Sequence, residues 1–226
     1  MTTRVNFEHE LDKLKNSLKE MGYDVELSID RLFEAIENLD EELTEVIIKN
    51  ERIINDMERS IEAQCLSLIT RQQPIAGDLR LISSALKVVT DIERIGDHAV
   101  DIAELILRWK QKNLLEYSAH IAPMIEASKE MVHNAVECFT QNDMERAKEV
   151  IESDDIVDDL FNKVKFDVIH SLQEEDNTEA GHMDADICID VMMIAKYLEK
   201  IGDHAVNIAE WEIFRETGSI QNVRLL

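Results

Sequence analysis

Apolar residues recur along this 226-residue chain at alternating steps of four and three, the spacing of one face of a long helix. The clearest run lies between residues 81 and 106, and a second run begins 106 residues after the first and repeats its steps. The runs are Leu81, Ala85, Val88, Ile92, Ile95, Ala99, Ile102 and Ile106, and then Ile187, Val191, Ile194, Leu198, Ile201, Ala205 and Ile208. A strand would need a period of two, which neither run has. Both runs therefore predict long helices that pack at small crossing angles.

Two further amphipathic segments precede each of these long helices. Apolar residues of helical spacing run through residues 43–68 in the first half and residues 150–164 in the second. Another segment comes before each of them, at residues 6–38 and 118–140. The chain has only two prolines and six glycines, which fits long helices better than a sheet with many turns. The pattern predicts three helices in each half and six in total.

Proline, glycine and capping residues predict where these helices end. Pro74 indicates that the second helix ends near Gln72, because the residue before a proline is pushed out of helical geometry. Asn38 and Asp40 are suitable caps between the first two helices. Gly181, in the polar stretch QEEDNTEAGHMD, marks the end of the fifth helix.

An internal repeat sets the domain organisation. Residues 91–104 read DIERIGDHAVDIAE, and residues 197–210 read YLEKIGDHAVNIAE. A shared IGDHAV string in the same helical context indicates two copies of one unit. We therefore predict an all-α fold of two tandem three-helix bundles. The stretch QKNLLEYS joins the halves and divides the chain into residues 1–112 and 113–226.

The charge balance disfavours two classes of partner. With 48 acids against 24 bases the formal net charge is −24, whereas nucleic-acid binding needs Lys and Arg to displace counterions from phosphates. An anionic membrane surface is disfavoured for the same reason. No stretch approaches the roughly 20 apolar residues that span a bilayer, and the N-terminus lacks the apolar core of a secretory signal. The three cysteines form no CxxC pair. We expect a cytoplasmic protein that neither binds nucleic acid nor inserts into a membrane.

Four pairs of acidic or amide residues share a four-residue spacing, which makes the members of each pair neighbours on a helix surface. The pairs are Glu51 with Asn55, Glu93 with Asp97, Asp154 with Asp158, and Glu199 with Asp203. Glu93 and Asp97 lie opposite the apolar seam and are expected to point outward. Like charges at this spacing cost a helix roughly 0.2–0.5 kcal/mol unless a cation offsets them. A metal ion held by carboxylates of adjacent helices is one such cation. An ordinary solvated acidic face is the alternative, and spacing alone does not decide between them.

A histidine and a glycine accompany the acidic pair in each repeat. His98 and His204 follow the aspartates and lie toward the edge of the apolar seam, where we interpret them as structural groups between helices. Gly96 and Gly202 cost a helix interior about 1 kcal/mol each relative to alanine. Their presence in both copies indicates close approach of another helix, or of a ligand, to the backbone at these points, and we interpret it as close packing.

Motifs typical of enzymes are missing from the sequence. It contains no GxxxxGKS phosphate cradle, no GxSxG elbow and no HExxH zinc motif. Di-iron carboxylate enzymes use Glu-x-x-His on bundle interiors, whereas His98 follows Glu93 by five residues. We therefore predict that the chain is not an enzyme. A metal-dependent oxidase or hydrolase and a helical scaffold that binds no metal are the two alternatives.

The repeated motifs resemble those of a known family. ERIGDHAVDIAE and EKIGDHAVNIAE each end a three-helix repeat, and RQQPIAGDLR precedes the first of them. In these motifs, and in length and repeat number, essentially the whole chain resembles the PhoU proteins. The resemblance implies a fold of two three-helix bundles related by pseudo-twofold symmetry.

The resemblance also implies metal sites. PhoU proteins bind multinuclear clusters, with iron or zinc, at E(D)xxxD motifs, and the four pairs named above match those motifs. Asn55 departs from the pattern because it is neutral where an acid is usual, which predicts a weaker first site. Asp101 matches the next acid of the first repeat, whereas Asn207 stands at that position in the second. The two sites are therefore not expected to be equivalent.

A signalling role follows from the same resemblance. It implies an adaptor between the ATPase of a phosphate ABC transporter and a sensor histidine kinase. When phosphate is plentiful, such an adaptor damps both phosphate uptake and the starvation response. The resemblance further implies a homodimer. Neither composition nor spacing shows these partners, although long helices do present extended faces that suit protein partners.

Overall fold

The computed structural model describes residues 2–38, 40–109, 114–174, 185–220 and 223–224, which form an almost entirely helical molecule. The helices are α1 (Thr2–Asn38), α2 (Glu41–Gln72), α3 (Ala76–Arg108), α4 (Ile121–Gln141), α5 (Met144–Glu174) and α6 (Ala185–Thr217). A short 3₁₀ helix precedes α4, and strands β1 (Ser219–Ile220) and β2 (Val223–Arg224) pair antiparallel after α6. The predicted all-helical class, with three helices in each half, is confirmed.

The observed helix ends follow the capping chemistry of the sequence. Asp40 caps α2, since its side chain accepts hydrogen bonds from the backbone N–H groups of Glu42 and Leu43 at 2.9 and 3.1 Å. α2 ends at Gln72, and Gln73 after it adopts a left-handed conformation with φ of 46°. The predicted break at Gly181 and the predicted boundary between residues 112 and 113 lie outside the described residues.

Both apolar seams are buried. Every residue of the two runs that begin at Leu81 and Ile187 is at most 9% exposed. The seams belong to one contiguous core to which all six helices contribute, so the two bundles share an interior. Within the described residues, none of the helices combines the length and the apolarity that crossing a bilayer requires.

The two bundles meet mainly through α3 and α6 and also through α1 and α4, while α2 and α5 pack on the outer flanks. α3 and α6 run antiparallel. At one end the Arg80 Nε donates to the Arg215 carbonyl at 2.8 Å, and at the other the Arg108 Nη1 lies 3.3 Å from the Asp190 carboxylate. Trp109 strengthens the contact between α3 and α6 at the Arg108 end, because its indole N–H donates to the Asp190 carboxylate at 2.7 Å.

Reciprocal contacts at the middle of this interface reveal the pseudo-twofold relation. His98 of α3 stacks on Tyr197 of α6, with ring centroids 5.5 Å apart. At the repeat-related positions, His204 of α6 contacts Asp91 of α3, with Nδ1 and Oδ1 2.8 Å apart. The rings of His98 and His204 are themselves 5.6 Å apart. The pseudo-twofold axis therefore passes close to these two histidines.

Gly22 of α1 allows the close approach of α4. A Cβ atom on Gly22 would lie 2.7 Å from Cγ1 of Val136, whereas a Cβ on Gly77 would meet nothing within 4 Å. Gly22→Ala should lower the free energy of unfolding by about 1 kcal/mol, because overpacking outweighs the better helix propensity of alanine. Gly77→Ala, the matched control, should raise it by about 0.5 kcal/mol.

Denaturant unfolding of both variants checks this expectation. The double variant Gly22→Ala, Val136→Ala should recover most of the loss, because removing the Val136 methyl groups makes room for the new Cβ. A Gly22→Ala protein that is stabilised as much as Gly77→Ala would show that α1 and α4 do not pack this closely.

Candidate functional site

The first acidic groove lies between α2 and α3. It contains Glu51, Asn55 and Glu58 of α2 with Glu93 and Asp97 of α3. Burial raises the pKa of Glu93, and the nearby carboxylates of Asp97, Glu58 and Glu51 raise it further. The Asn55 side-chain amide donates to Oε1 of Glu51 at 3.4 Å, while its own Oδ1 is buried without a hydrogen-bond partner. The groove thus brings together side-chain oxygen atoms from two helices. One of these atoms, Oδ1 of Asn55, is buried and accepts no hydrogen bond.

The second acidic groove lies at the related position between α5 and α6. It contains Asp154 and Asp158 of α5 with Glu199 and Asp203 of α6. Burial together with the charges of Asp158, Asp203, Asp155 and Glu199 raises the pKa of Asp154 to about 6. The structure therefore brings all four predicted residues of this site together.

The repeated glycines let the paired helices approach at both grooves. A Cβ on Gly96 would lie 3.1 Å from Cδ1 of Ile54, closer than nearly all real contacts of this kind. A Cβ on Gly202 would lie 3.4 Å from Oδ1 of Asp154. Gly202 thus leaves room for a carboxylate of the second acidic groove against the α6 backbone, as the sequence indicated.

Basic side chains of the chain itself partly neutralise both grooves. The Arg94 guanidinium lies 3.5 Å from Glu93 and 3.1 Å from Asp97. Lys200, the repeat-related residue, lies 3.3 Å from Glu199 and also pairs with Asp203. Lys196 is a further partner of Glu199. A basic side chain of the chain itself therefore already offsets part of the like-charge repulsion for which the sequence offered a metal ion as one candidate.

The structure adds two details about the placement of these acidic side chains. Glu93 and Glu199 do not point outward, since their side chains are only 14% and 16% exposed and line the flank toward the neighbouring helix. Asp101 lies near α6, and its Oδ2 is 3.4 Å from Nδ1 of His98. Burial and the charge of Asp101 raise the pKa of Tyr197 on α6, which supports that placement.

Glu58 is the groove residue that the sequence interpretation missed. It follows Glu51 by seven residues, or about two helical turns, and so lies on the same stripe of α2. Burial raises the pKa of Glu58, and Asp97 on α3 is among the charges that raise it. A spacing of seven residues, like a spacing of four, places two side chains on one face of a helix, and this periodicity is the signal in the sequence that points to Glu58.

Cation binding is the chemistry that these grooves suit. Carboxylate and amide oxygens are ligands for hard cations and for iron or manganese. As the side chains of the described residues stand, no three His, Cys, Asp or Glu groups already form an arrangement that would hold a metal ion. Binding would therefore require these carboxylates to exchange their Arg94 and Lys200 partners for the ion.

Comparison with known proteins identifies the fold and the repeat. The model of the PhoU domain matches residues 18–106 and again residues 121–211, once over each bundle. The chain belongs to the PhoU family. This family comprises regulatory and accessory proteins rather than enzymes, which confirms the prediction that the chain is not an enzyme.

Curated and solved relatives agree with this assignment. The chain is 37% identical over 217 residues to a phosphate-specific transport system accessory protein PhoU homolog of Clostridium acetobutylicum, with 96% of each protein covered. A Thermotoga maritima homolog is 31% identical, with 96% of this chain and 92% of the relative covered. The crystal structure of PhoU from Pseudomonas aeruginosa superposes with a TM-score of 0.84 at 29% identity, covering 94% of this chain and all of that one.

Proposed function

We propose that this chain regulates phosphate uptake and phosphate-starvation signalling in the cytoplasm. It acts as an adaptor between the ATPase of a phosphate ABC transporter and a sensor histidine kinase, and it damps both when phosphate is plentiful. The observation that carries the proposal is the pair of PhoU repeats, shared with a transport-system accessory protein over 96% of the chain. We assign the first repeat to residues 1–112 and the second to residues 113–226, and the working form is a homodimer.

Deletion of the gene in its host tests the adaptor role. Transcripts for phosphate uptake should rise in phosphate-rich medium, and the wild-type gene should restore repression. The purified chain should also retain the transporter ATPase and the kinase of the same host in a binding assay, and sedimentation should give the mass of a dimer. Unchanged transcripts together with no retention of either partner would contradict the adaptor role.

We also propose that each acidic groove binds iron or zinc. Four carboxylates meet at the second groove, where the raised pKa of Asp154 reports their crowding. In the first groove the unpartnered Oδ1 of Asn55 offers a neutral ligand where the second has Asp158. A metal ion supplies the positive charge that such a set of oxygens lacks. The Asn55 position alone favours the second groove, but Glu58 gives the first groove a fourth carboxylate, so the two grooves are expected to bind with similar strength.

Elemental analysis of protein purified without chelator tests this metal proposal. Metal content should fall by about half in the double variant Glu199→Gln, Asp203→Asn. It should remain unchanged in the control double variant Glu149→Gln, Glu152→Gln, because these two exposed acids lie elsewhere on α5. Lys200→Gln should tighten metal binding roughly tenfold, because it removes the competing ammonium from Glu199 and Asp203. No metal above background in any sample would leave the metal-free scaffold as the correct interpretation.

A further inference from the structure

Two histidines face each other at the centre of the interface between the repeats. His98 of α3 and His204 of α6 have ring centroids 5.6 Å apart, and the pseudo-twofold axis passes close to both. Their side chains are 19% and 20% exposed, so solvent and small ions reach the two rings. Imidazole is the commonest metal ligand in proteins. The two rings, here called the histidine pair, are therefore a candidate site outside the acidic grooves.

Each imidazole of the histidine pair is held through Nδ1 by a carboxylate of α3. Nδ1 of His204 lies 2.8 Å from Oδ1 of Asp91, and Nδ1 of His98 lies 3.4 Å from Oδ2 of Asp101. An ionised carboxylate only accepts hydrogen bonds, so Nδ1 carries the hydrogen in both rings and Nε2 of the neutral ring keeps its lone pair. Within the part of the chain that the structure describes, neither Nε2 has a hydrogen-bond partner. Metal-binding histidines are held by carboxylates in this same way.

The two carboxylates lie on the outer sides of the histidine pair. Along α3, Asp91 precedes His98 by seven residues, or roughly 10 Å, and Asp101 follows it by three. His204 contacts both Asp91 and His98, so its ring lies between them. The order along the interface is therefore Asp91, His204, His98 and Asp101. Because Nδ1 of each ring is bound to an outer carboxylate, Nε2 on the other side of the ring is left for the space between the histidines.

The repeat alone does not account for a carboxylate at both histidines. The offset of 106 residues aligns Asp91 with Tyr197, and His98 indeed contacts Tyr197, at a ring-centroid distance of 5.5 Å. Tyr197 offers no carboxylate, and Asp101 supplies one to His98 instead. Asn207, which the repeat aligns with Asp101, donates to Asp91 at 3.2 Å. The two copies thus reach the same arrangement from positions that the repeat does not relate, which favours a function for the imidazoles beyond packing.

The separation of the rings suits one shared metal ion. Two imidazoles that bind one tetrahedral Zn²⁺ through Zn–N bonds of about 2.0–2.1 Å have ring centroids roughly 5–6 Å apart. The observed distance of 5.6 Å falls in this range. Arg94 and Lys200 precede the two histidines by four residues, and their cationic groups pair with the acids of the two grooves. Asp91 and Asp101 leave the surroundings of the histidine pair negative, which attracts a cation.

We propose that His98 and His204 together bind one transition-metal ion of the Zn²⁺, Ni²⁺ or Cu²⁺ class through their Nε2 atoms. Neutral imidazole suits these ions, whereas Mg²⁺ and Ca²⁺ prefer oxygen. The described residues place no third His, Cys, Asp or Glu in position to bind the ion, so water completes its coordination. The ion joins α3 to α6 and thereby joins the first repeat to the second. This site is separate from the acidic grooves and goes beyond the function proposed above.

Cu²⁺ added to the full chain after treatment with a chelator tests the histidine pair. Pulsed EPR detects the remote nitrogen of each coordinated imidazole, so it counts the histidines that bind one ion. The first equivalent of Cu²⁺ should show two imidazoles. His98→Gln and His204→Gln should each leave one imidazole and weaken Cu²⁺ binding more than about tenfold in competition with glycine. Copper in the acidic grooves gives no such signal, because their side chains offer only oxygen ligands.

Two further variants separate coordination from packing. Asp91→Asn keeps both imidazoles and should weaken Cu²⁺ binding roughly tenfold while both remain visible by EPR, because Asp91 orients His204. His133→Gln is the matched control, since Nδ1 of His133 also lies beside a carboxylate, that of Glu26 at 3.0 Å, but the described residues place no second imidazole beside its ring. This control should change neither the imidazole count nor the affinity. Circular dichroism verifies that each variant is folded, and Asp91→Asn still decides if a glutamine variant is not.

Three results would overturn the proposal. They are the absence of imidazole nitrogens at the first equivalent, one imidazole on each of two Cu²⁺ ions, or an equal loss of binding in His133→Gln. Copper bound to backbone amide nitrogens in place of two imidazoles counts against the site in the same way. Such a failure leaves the regulatory function and the acidic grooves intact, because gene deletion and elemental analysis test those separately.

Discussion

Replacement of Arg215 by methionine should lower the melting temperature by roughly 10 °C, which corresponds to a loss of about 3–5 kcal/mol. Arg215 is 6% exposed, and its guanidinium donates to Glu212 Oε1 and Glu216 Oε1, each at 2.6 Å. It also binds Asn142 and the Phe139 carbonyl, which ties α6 to the turn between α4 and α5. Methionine keeps the apolar stem but leaves the fully buried Glu212 and the Phe139 carbonyl without the hydrogen bonds that Arg215 donates to them. Calorimetry at pH 7 measures the change.

The variant Glu212→Gln keeps the size of the side chain and removes its titratable carboxyl. It therefore tests how the Glu212 carboxyl makes the stability of the protein depend on pH. Burial raises the pKa of Glu212 from 4.5 to about 8, although Arg215 opposes the shift. A carboxyl whose pKa is raised on folding contributes full stability below its unfolded pKa, and that contribution is lost as the pH rises through the folded pKa. Wild-type stability should therefore decline between about pH 5 and pH 8, and Glu212→Gln should remove much of this decline.

Several other charged groups lie near Glu212, and their effect on the free energy of unfolding must be the same in the two proteins that are compared. Lys15 of α1, Asp143 at the turn before α5, and Arg215 and Glu216 of α6 all influence its pKa. Comparing the Gln variant with wild type at each pH cancels their own titration to first order. Parallel stability curves for the two proteins from pH 5 to pH 8 would show that Glu212 does not titrate in this range.

Truncation of Ile201 to alanine should destabilise both bundles together, by roughly 2–5 kcal/mol. Ile201 is fully buried in the second bundle, within a core to which all six helices contribute. Trp109 at the end of α3 and Trp211 in α6 report on the two halves of the chain. In single-tryptophan variants, the unfolding transitions at both reporters should shift equally, because the shared core couples the bundles.

The exposed residue Ile156 supplies the control for this experiment. It is 56% exposed on α5, so Ile156→Ala should change the free energy of unfolding by less than about 0.5 kcal/mol. A shift at Trp211 alone in the Ile201→Ala protein would mean that the bundles unfold independently. The contacts of α3 with α6 and of α1 with α4 would then contribute little to cooperativity.

Local information in the chain was sufficient for the helices and the repeat. The steps of four and three in residues 81–106 and 187–208 predict helices because burial of one face imposes that period. Asp40 and Pro74 predict helix ends through short-range backbone chemistry, and the observed helix limits agree at Asp40 and Gln72. The IGDHAV repeat predicts two similar units, and both match the PhoU domain.

The candidate site was only partly predictable. The spacing of Glu93 with Asp97 and of Glu199 with Asp203 identifies neighbours within one helix. It does not specify which other helix lies beside them, so it did not predict that Glu58 of α2 belongs to the groove. The role of Arg94 and Lys200 also depends on side-chain geometry, because each basic residue follows its glutamate directly in sequence and yet reaches both acids of its pair.

Residues within a few helical turns of one another are enough to predict the helical class, the number of helices, the duplication and the acidic pairs. The way in which α3 and α6 cross depends on long-range contacts, since the contact of His204 with Asp91 joins residues 113 positions apart. The tertiary structure also decided that Glu93 and Glu199 face a groove and that Phe166 remains exposed. Which face of a helix is covered depends on the helices beside it, and no period within a single helix contains that information.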